Sequence, residues 1–121
     1  MKIKVITPKF ETFVELNPKS ELAKEIYIKL PIEGEANFWG GEVYVDVPFM
    51  LEGYFDKDEV EVGDFAYWPR GPSVCFFFGP TGGSFTEKPR PHSPVEVIGQ
   101  VKDPMLFKQL KPLEKIRLER L

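Results

Sequence analysis

The chain has 121 residues, with 16 Lys and Arg against 19 Asp and Glu, one His and one Cys, and a formal net charge of −3. That length suits one domain with a real hydrophobic core, and 42% apolar with 29% charged residues excludes a disordered chain. No stretch approaches the ~20 apolar residues of a membrane helix, no basic block offers a nucleic-acid surface, and one Cys cannot make an internal disulfide.

The N-terminus MKIKVITPKF lacks a signal-peptide core, so a cytoplasmic location is expected. Asn and Gln total only four, a composition that leans toward a thermophile.

Lys2 to Ile6 alternates Lys with Ile and Val, the pattern of a half-buried strand. Pro8 and Lys9 turn the chain. Phe10 to Leu16 pairs back, with Phe10, Thr12, Val14 and Leu16 on one face. Asn17-Pro18 predicts a helix start, Asn as cap and Pro at the first helical position. Leu22, Ala23, Ile26, Tyr27 and Leu30 follow at helical spacing until Pro31 ends the helix. Ile32 to Trp39 and Glu42 to Val47 flank Gly40-Gly41, a two-residue hairpin signal. Val43, Val45 and Val47 form the inward face, with Glu42, Tyr44 and Asp46 opposite. The acidic run Asp56 to Gly63 reads as a solvated connector.

The stretch Gly63 to Thr81, GDFAYWPRGPSVCFFFGPT, carries the densest aromatic signal in the chain. Two apolar runs surround Pro69-Arg70-Gly71-Pro72, where two prolines and a glycine break regular structure, so a hairpin is expected. Continuous apolarity rather than alternation predicts strands covered on both faces. One face points into a core; the other lies under a helix, a loop, a second chain or a ligand. The aromatics read either as core or as the wall of a binding site, core being the plainer reading. Trp68 and Arg70, beside the turn, are better site candidates than the Phe run.

Phe85 to Pro94 holds three prolines and is expected to be an irregular surface loop. Val95 to Val101 reads as a strand with Val95, Val97 and Val101 inward. Asp103-Pro104 opens a short helix to about Leu110, and Lys115 to Leu121 is the last strand. About eight strands and two helices predict a mainly β single domain, residues 1–121: a closed antiparallel barrel with helices at its ends.

Chemistry is sparse. One His and one Cys cannot make a zinc site, and no EF-hand spacing occurs. Gly79 to Ser84 lacks the Lys-Ser/Thr ending of a P-loop. Cys75 lies within an apolar run and reads as buried. His92, between Pro91 and Ser93, is tied to no nucleophile. No catalytic residue, metal or cofactor is expected. Arg70 and Arg90 sit in loops bracketing the central strands; if those loops converge, two guanidinium groups could clamp a carboxylate or phosphate.

GDFAYWPRGPSVCFFFGPT followed by PHSPVEVIGQV resembles the signature of a cyclophilin-like family of small bacterial and archaeal proteins. FETFVELNPKSELAKEIYIKLP is similar to the cyclophilin opening, and VIGQVKDPMLFKQL to its late strand and short helix. The resemblance implies a closed eight-stranded antiparallel barrel capped by two short helices, with no established reaction. It also exposes a departure. Cyclophilins isomerise prolyl bonds with an essential Arg on a middle strand, and the matching stretch GEVYVDVPFM has none; the arginines are Arg70, Arg90, Arg117 and Arg120. Neither Gln falls among Phe76 to Phe78, where cyclophilins place one. His92 lies near the place of a cyclophilin pocket His.

The expectation is a non-isomerase barrel that binds a small molecule or peptide beside the 63–81 hairpin. Trp68 would wall the groove, Arg70 would hold an anion, Phe76 or Phe78 would floor it, and Arg90 and His92 would flank it. Two alternatives are kept: a prolyl isomerase in which Arg70 or Arg90 replaces the lost Arg, and a structural homodimer whose second subunit covers the aromatics. Neither nucleic acid nor membrane is expected as a partner.

Overall fold

Nine antiparallel strands run through the computed structural model, which describes residues 1–121. In chain order they are β1 (Lys2–Ile6), β2 (Glu11–Leu16), helix α1 (Glu21–Ile28), β3 (Ile32–Glu35), β4 (Asn37–Trp39), β5 (Glu42–Asp46), β6 (Asp64–Trp68), β7 (Ser73–Phe77), β8 (Glu96–Val101), a 3-10 helix (Pro104–Gln109) and β9 (Lys115–Arg120). They form one sheet in the order β3-β9-β1-β2-β8-β6-β7-β5-β4.

The two end strands of that order, β3 and β4, are neighbours in the chain, separated only by Ala36. The segment 32–39 therefore pairs with β9 through its first half and with β5 through its second, and the sheet returns on itself. This accounts for nine strands where eight were expected: one expected strand is bent. At the bend the backbone leaves both ladders, the Ala36 N–H bonding to the Glu114 carbonyl and its carbonyl accepting from Leu113 N–H, each at 2.8 Å. Along the remaining seam β3 passes β5 without a ladder. The approach is close enough that a Cβ on Gly34 would sit 2.5 Å from Val45 Cγ1.

Strand alternation fills the barrel. Ile3, Val5, Val14, Leu16, Val43, Val45, Phe65, Tyr67, Val74, Phe76, Ile116 and Leu118 are buried in one cluster. The phenol of Tyr67 is satisfied inside it, accepting from Leu51 N–H at 3.0 Å and donating to the Phe49 carbonyl at 3.1 Å. Leu22, Ala23 and Ile26 of α1 join the same core. The helix begins three residues later than expected. Ser20, not Asn17, is its cap, its hydroxyl accepting from Ala23 N–H at 3.0 Å. Asn17 instead caps a tight turn through Lys19 N–H. The second helix is a 3-10 turn whose Phe107 stacks on Phe76 at 4.6 Å and meets Phe10 edge-on at 5.0 Å.

β8 departs from its expected facing. Its register with β6 slips between Phe65 and Ala66, so Gly99 faces Phe65 while Val97 faces Ala66, leaving Ile98 as an extra residue. The bulge turns Ile98 and Val101 into the barrel and leaves Val95 and Val97 on the outer side. No helix is long and apolar enough to cross a membrane.

Candidate functional site

The outer face of the β6–β7 hairpin is apolar, and the chain covers it itself. Ala66, Cys75 and Phe77 are fully buried there with Val60 and Val95. Segments 56–63 and 79–94 lie across them: Lys57 and Val95 exchange backbone hydrogen bonds at 3.1 and 2.9 Å, and Val60 N–H reaches the Pro89 carbonyl at 3.0 Å. The second cover expected for these strands is thus a loop of the same chain.

Beside this cover a pocket of about 140 Å³ opens on the outer wall, lined by Trp39, Glu42, Tyr44, Trp68, Pro91 and His92. Trp39 ends β4 and stands in register with Glu42 across the Gly40-Gly41 turn, where Gly40 takes a φ of +58°. Tyr44 lies two residues on from Glu42 along β5, on the same face. Trp68 ends β6, and Pro91 and His92 come from the loop.

Two contacts press the loop onto the strands. A Cβ on Gly41 would lie 2.3 Å from the Gly79 carbonyl carbon, and one on Gly82 would lie 2.8 Å from Trp39 Nε1. The loop is held by its own hydrogen bonds. The Thr81 hydroxyl donates to the Arg90 carbonyl and accepts from Arg90 N–H at 3.3 Å, and Ser84 Oγ donates to the Lys88 carbonyl at 2.7 Å. His92 then meets both indoles edge-on, its centroid 5.6 Å from Trp39 and 6.0 Å from Trp68. Trp68 Nε1 donates to Ser93 Oγ at 2.6 Å, which fixes the ring.

Glu42 is the charged group of this pocket. Only 6% of it is exposed, and it makes no ion pair. Burial pushes its carboxyl up from the ordinary 4.5 to about 7, with hydrogen bonding toward the Cys75 thiol pulling the other way. Cys75 is held well above the usual thiol range, first by its complete burial and then by the adjacent Glu42 charge. It is a protonated, inaccessible thiol and no nucleophile.

Of the six expected site residues, the structure brings Trp68 and His92 into this pocket. Arg70 is exposed in the 69–72 turn and does not line it. Arg90 is also outside, facing Asp58 at 3.7 Å and Glu59 at 3.9 Å and lying over the Phe85 ring at 5.1 Å. Phe76 points into the barrel, because its ladder partners Val43 and Phe65 both face inward and its ring is flanked by Phe65 and Phe107. Phe78 is half-buried against the main core and borders a separate shallow depression with Gly40, Val62 and Met105.

Trp39, Glu42, Tyr44 and Pro91 were not singled out from sequence. A usable signal existed: the chain has two tryptophans, each ending a strand, and one is followed by Gly-Gly-Glu.

Fold and site define a class, the small antiparallel barrel of cyclophilin type carrying an aromatic pocket on its outer wall. The chain belongs to the cyclophilin-like family, whose model, described as Cyclophilin-like, matches residues 1–119. It is also similar to the solution structure of a hypothetical protein from Archaeoglobus fulgidus. The identity is 36% and the TM-score 0.79, over 100% of this chain and 95% of that one. No curated protein matches the chain.

Proposed function

We propose that this family member is a small ligand-binding barrel without prolyl-isomerase activity, and that the Trp39–Trp68 pocket is its binding site. The observation that carries the reading is the convergence of both tryptophans, Tyr44 and His92 around one buried acid. Aromatic walls with one or two placed polar groups are the usual make-up of a ligand pocket.

Isomerisation of an X–Pro bond must lower a barrier of about 20 kcal/mol by weakening amide resonance, which calls for a well-placed donor. None of the four arginines lines the pocket. Arg117 pairs with Glu33 and Glu119, and Arg120 bonds the Tyr27 and Ile28 carbonyls. The indole N–H of Trp68 is already given to Ser93. A volume of about 140 Å³ is several times the ~15 Å³ that seats a water, yet below the roughly 300 Å³ of drug-sized pockets. It suits a head group or one side chain rather than a folded peptide turn.

Because both tryptophans line the pocket, selectively excited tryptophan fluorescence and the two indole N–H resonances report on it. A fragment set should give saturable changes in both indole signals, while X–Pro peptides show no acceleration of isomerisation. Acceleration that disappears in Arg70→Ala or Arg90→Ala would instead establish the relocated isomerase.

A further inference from the structure

We propose that the pocket selects a small organic cation, a quaternary or fully methylated ammonium head group, held against Trp39, Tyr44 and Trp68 with Glu42 as its counter-ion. This rests on the reading of the pocket as a ligand site and names the class of ligand.

Three observations carry it. Glu42 is more than nine-tenths buried, lines the cavity and has no cationic partner in the protein. A carboxylate in that position is unfavourable unless a positive charge joins it. Burial raises its proton affinity accordingly. The walls are aromatic, and the negative face of an aromatic ring attracts a cation, most of all when water is excluded. Finally, the pocket offers few acceptors. A primary ammonium brings three N–H donors that each need a partner, whereas a trimethylammonium brings none and fills the space with methyl groups. An anion finds no Lys or Arg among the lining residues and meets Glu42 instead. A bound metal ion is disfavoured as well, since no group of three His, Cys, Asp or Glu side chains is assembled anywhere in the chain.

The test uses the full chain at constant ionic strength and slightly alkaline pH, with three probes: choline chloride, its uncharged carbon isostere 3,3-dimethyl-1-butanol, and sodium acetate. Binding is read from tryptophan fluorescence and the indole N–H shifts. Choline should saturate, and the isostere should bind at least about tenfold more weakly. Glu42→Gln should cut that preference severalfold, to what the aromatic walls alone supply, while keeping the indole dispersion of a folded protein. Trp39→Leu should weaken both ligands.

If the isostere or acetate binds as well as choline, the cation inference is overturned while the pocket stands as a ligand site. If Glu42→Gln prefers choline as strongly as the wild type, Glu42 is not the counter-ion and the proposal falls. If no probe moves either indole, the cation inference is overturned, and the site beneath it falls only if the fragment set leaves both indoles unmoved as well.

Discussion

Replacing Glu42 by Gln should change how stability depends on pH, and by a calculable amount. In the unfolded chain this carboxyl ionises near 4.5; in the folded protein burial delays ionisation to about pH 7. Below the lower value the group is protonated in both states and its contribution is fully present. Between the two values the folded protein keeps a proton that the unfolded chain has released. Stability then falls as pH rises, by up to about 1.4 kcal/mol per pH unit. Across the window the loss is about 3 kcal/mol, and above pH 7 it levels off.

Gln is nearly isosteric and cannot ionise, so the variant lacks this slope. The difference in unfolding free energy should move by about 3 kcal/mol in favour of Glu42→Gln between about pH 4.5 and pH 8. The other titratable groups near Glu42 are His92 from the loop, Cys75 on β7 and Tyr44 on its own strand. They are present in both proteins and largely cancel in the difference. Urea unfolding followed by circular dichroism at a series of pH values gives the number directly. A difference that stays flat with pH, or that grows in favour of the wild type, would refute the assignment of Glu42 as a buried, unpaired acid.

Other substitutions test the frame around the site. Phe107→Ala removes the ring stacked between Phe10 and Phe76 and should cost about 3–5 kcal/mol in chemical denaturation, with both pocket indole resonances still dispersed where the variant folds. Thr81→Val leaves the Arg90 backbone without its hydroxyl partner. It should cost about 1–3 kcal/mol and speed amide exchange through 82–91 relative to the barrel strands, a pattern that hydrogen exchange resolves. Cys75, fully buried, should resist thiol reagents in the native protein and react at the rate of global unfolding; rapid native labelling would show that the loop cover opens on its own.

Most of the barrel was legible because alternation is a local signal. Lys2 to Ile6 and Glu42 to Asp46 announce their facing in their own residues; the 63–81 hairpin, apolar on both faces, demanded a second cover without saying which way Phe76 points. What failed depended on partners distant in the chain. Nothing in EVIGQV marks Ile98 as the extra residue of a bulge; only its pairing with Phe65 and Ala66 creates it. Asn17 and Ser20 are both good caps by type. Ser20 also donates to Glu96 at 2.6 Å, a bond that spans most of the chain and ties the helix start to β8. The site divides in the same way. Trp68 and His92 stand out beside a turn and in a loop. Glu42 looks like an exposed strand acid until the loop, pinned by Gly41 against Gly79, brings Pro91 and His92 over it.

That placement makes the departure from cyclophilins more than a deletion. The stretch that would carry the catalytic Arg by resemblance, GEVYVDVPFM, instead contributes an acid to an aromatic pocket. The change is from donor to acceptor, and the two cannot serve the same transition state. A twisted prolyl amide gains from a donor aimed at it, whereas a carboxylate there offers only an acceptor, or repulsion once ionised. A guanidinium from Arg70 entering this pocket would meet Glu42 first and be neutralised by it. The same pairing is open to a ligand cation. On the proposed reading, the strand that by resemblance would carry an Arg instead offers an acid to a ligand cation.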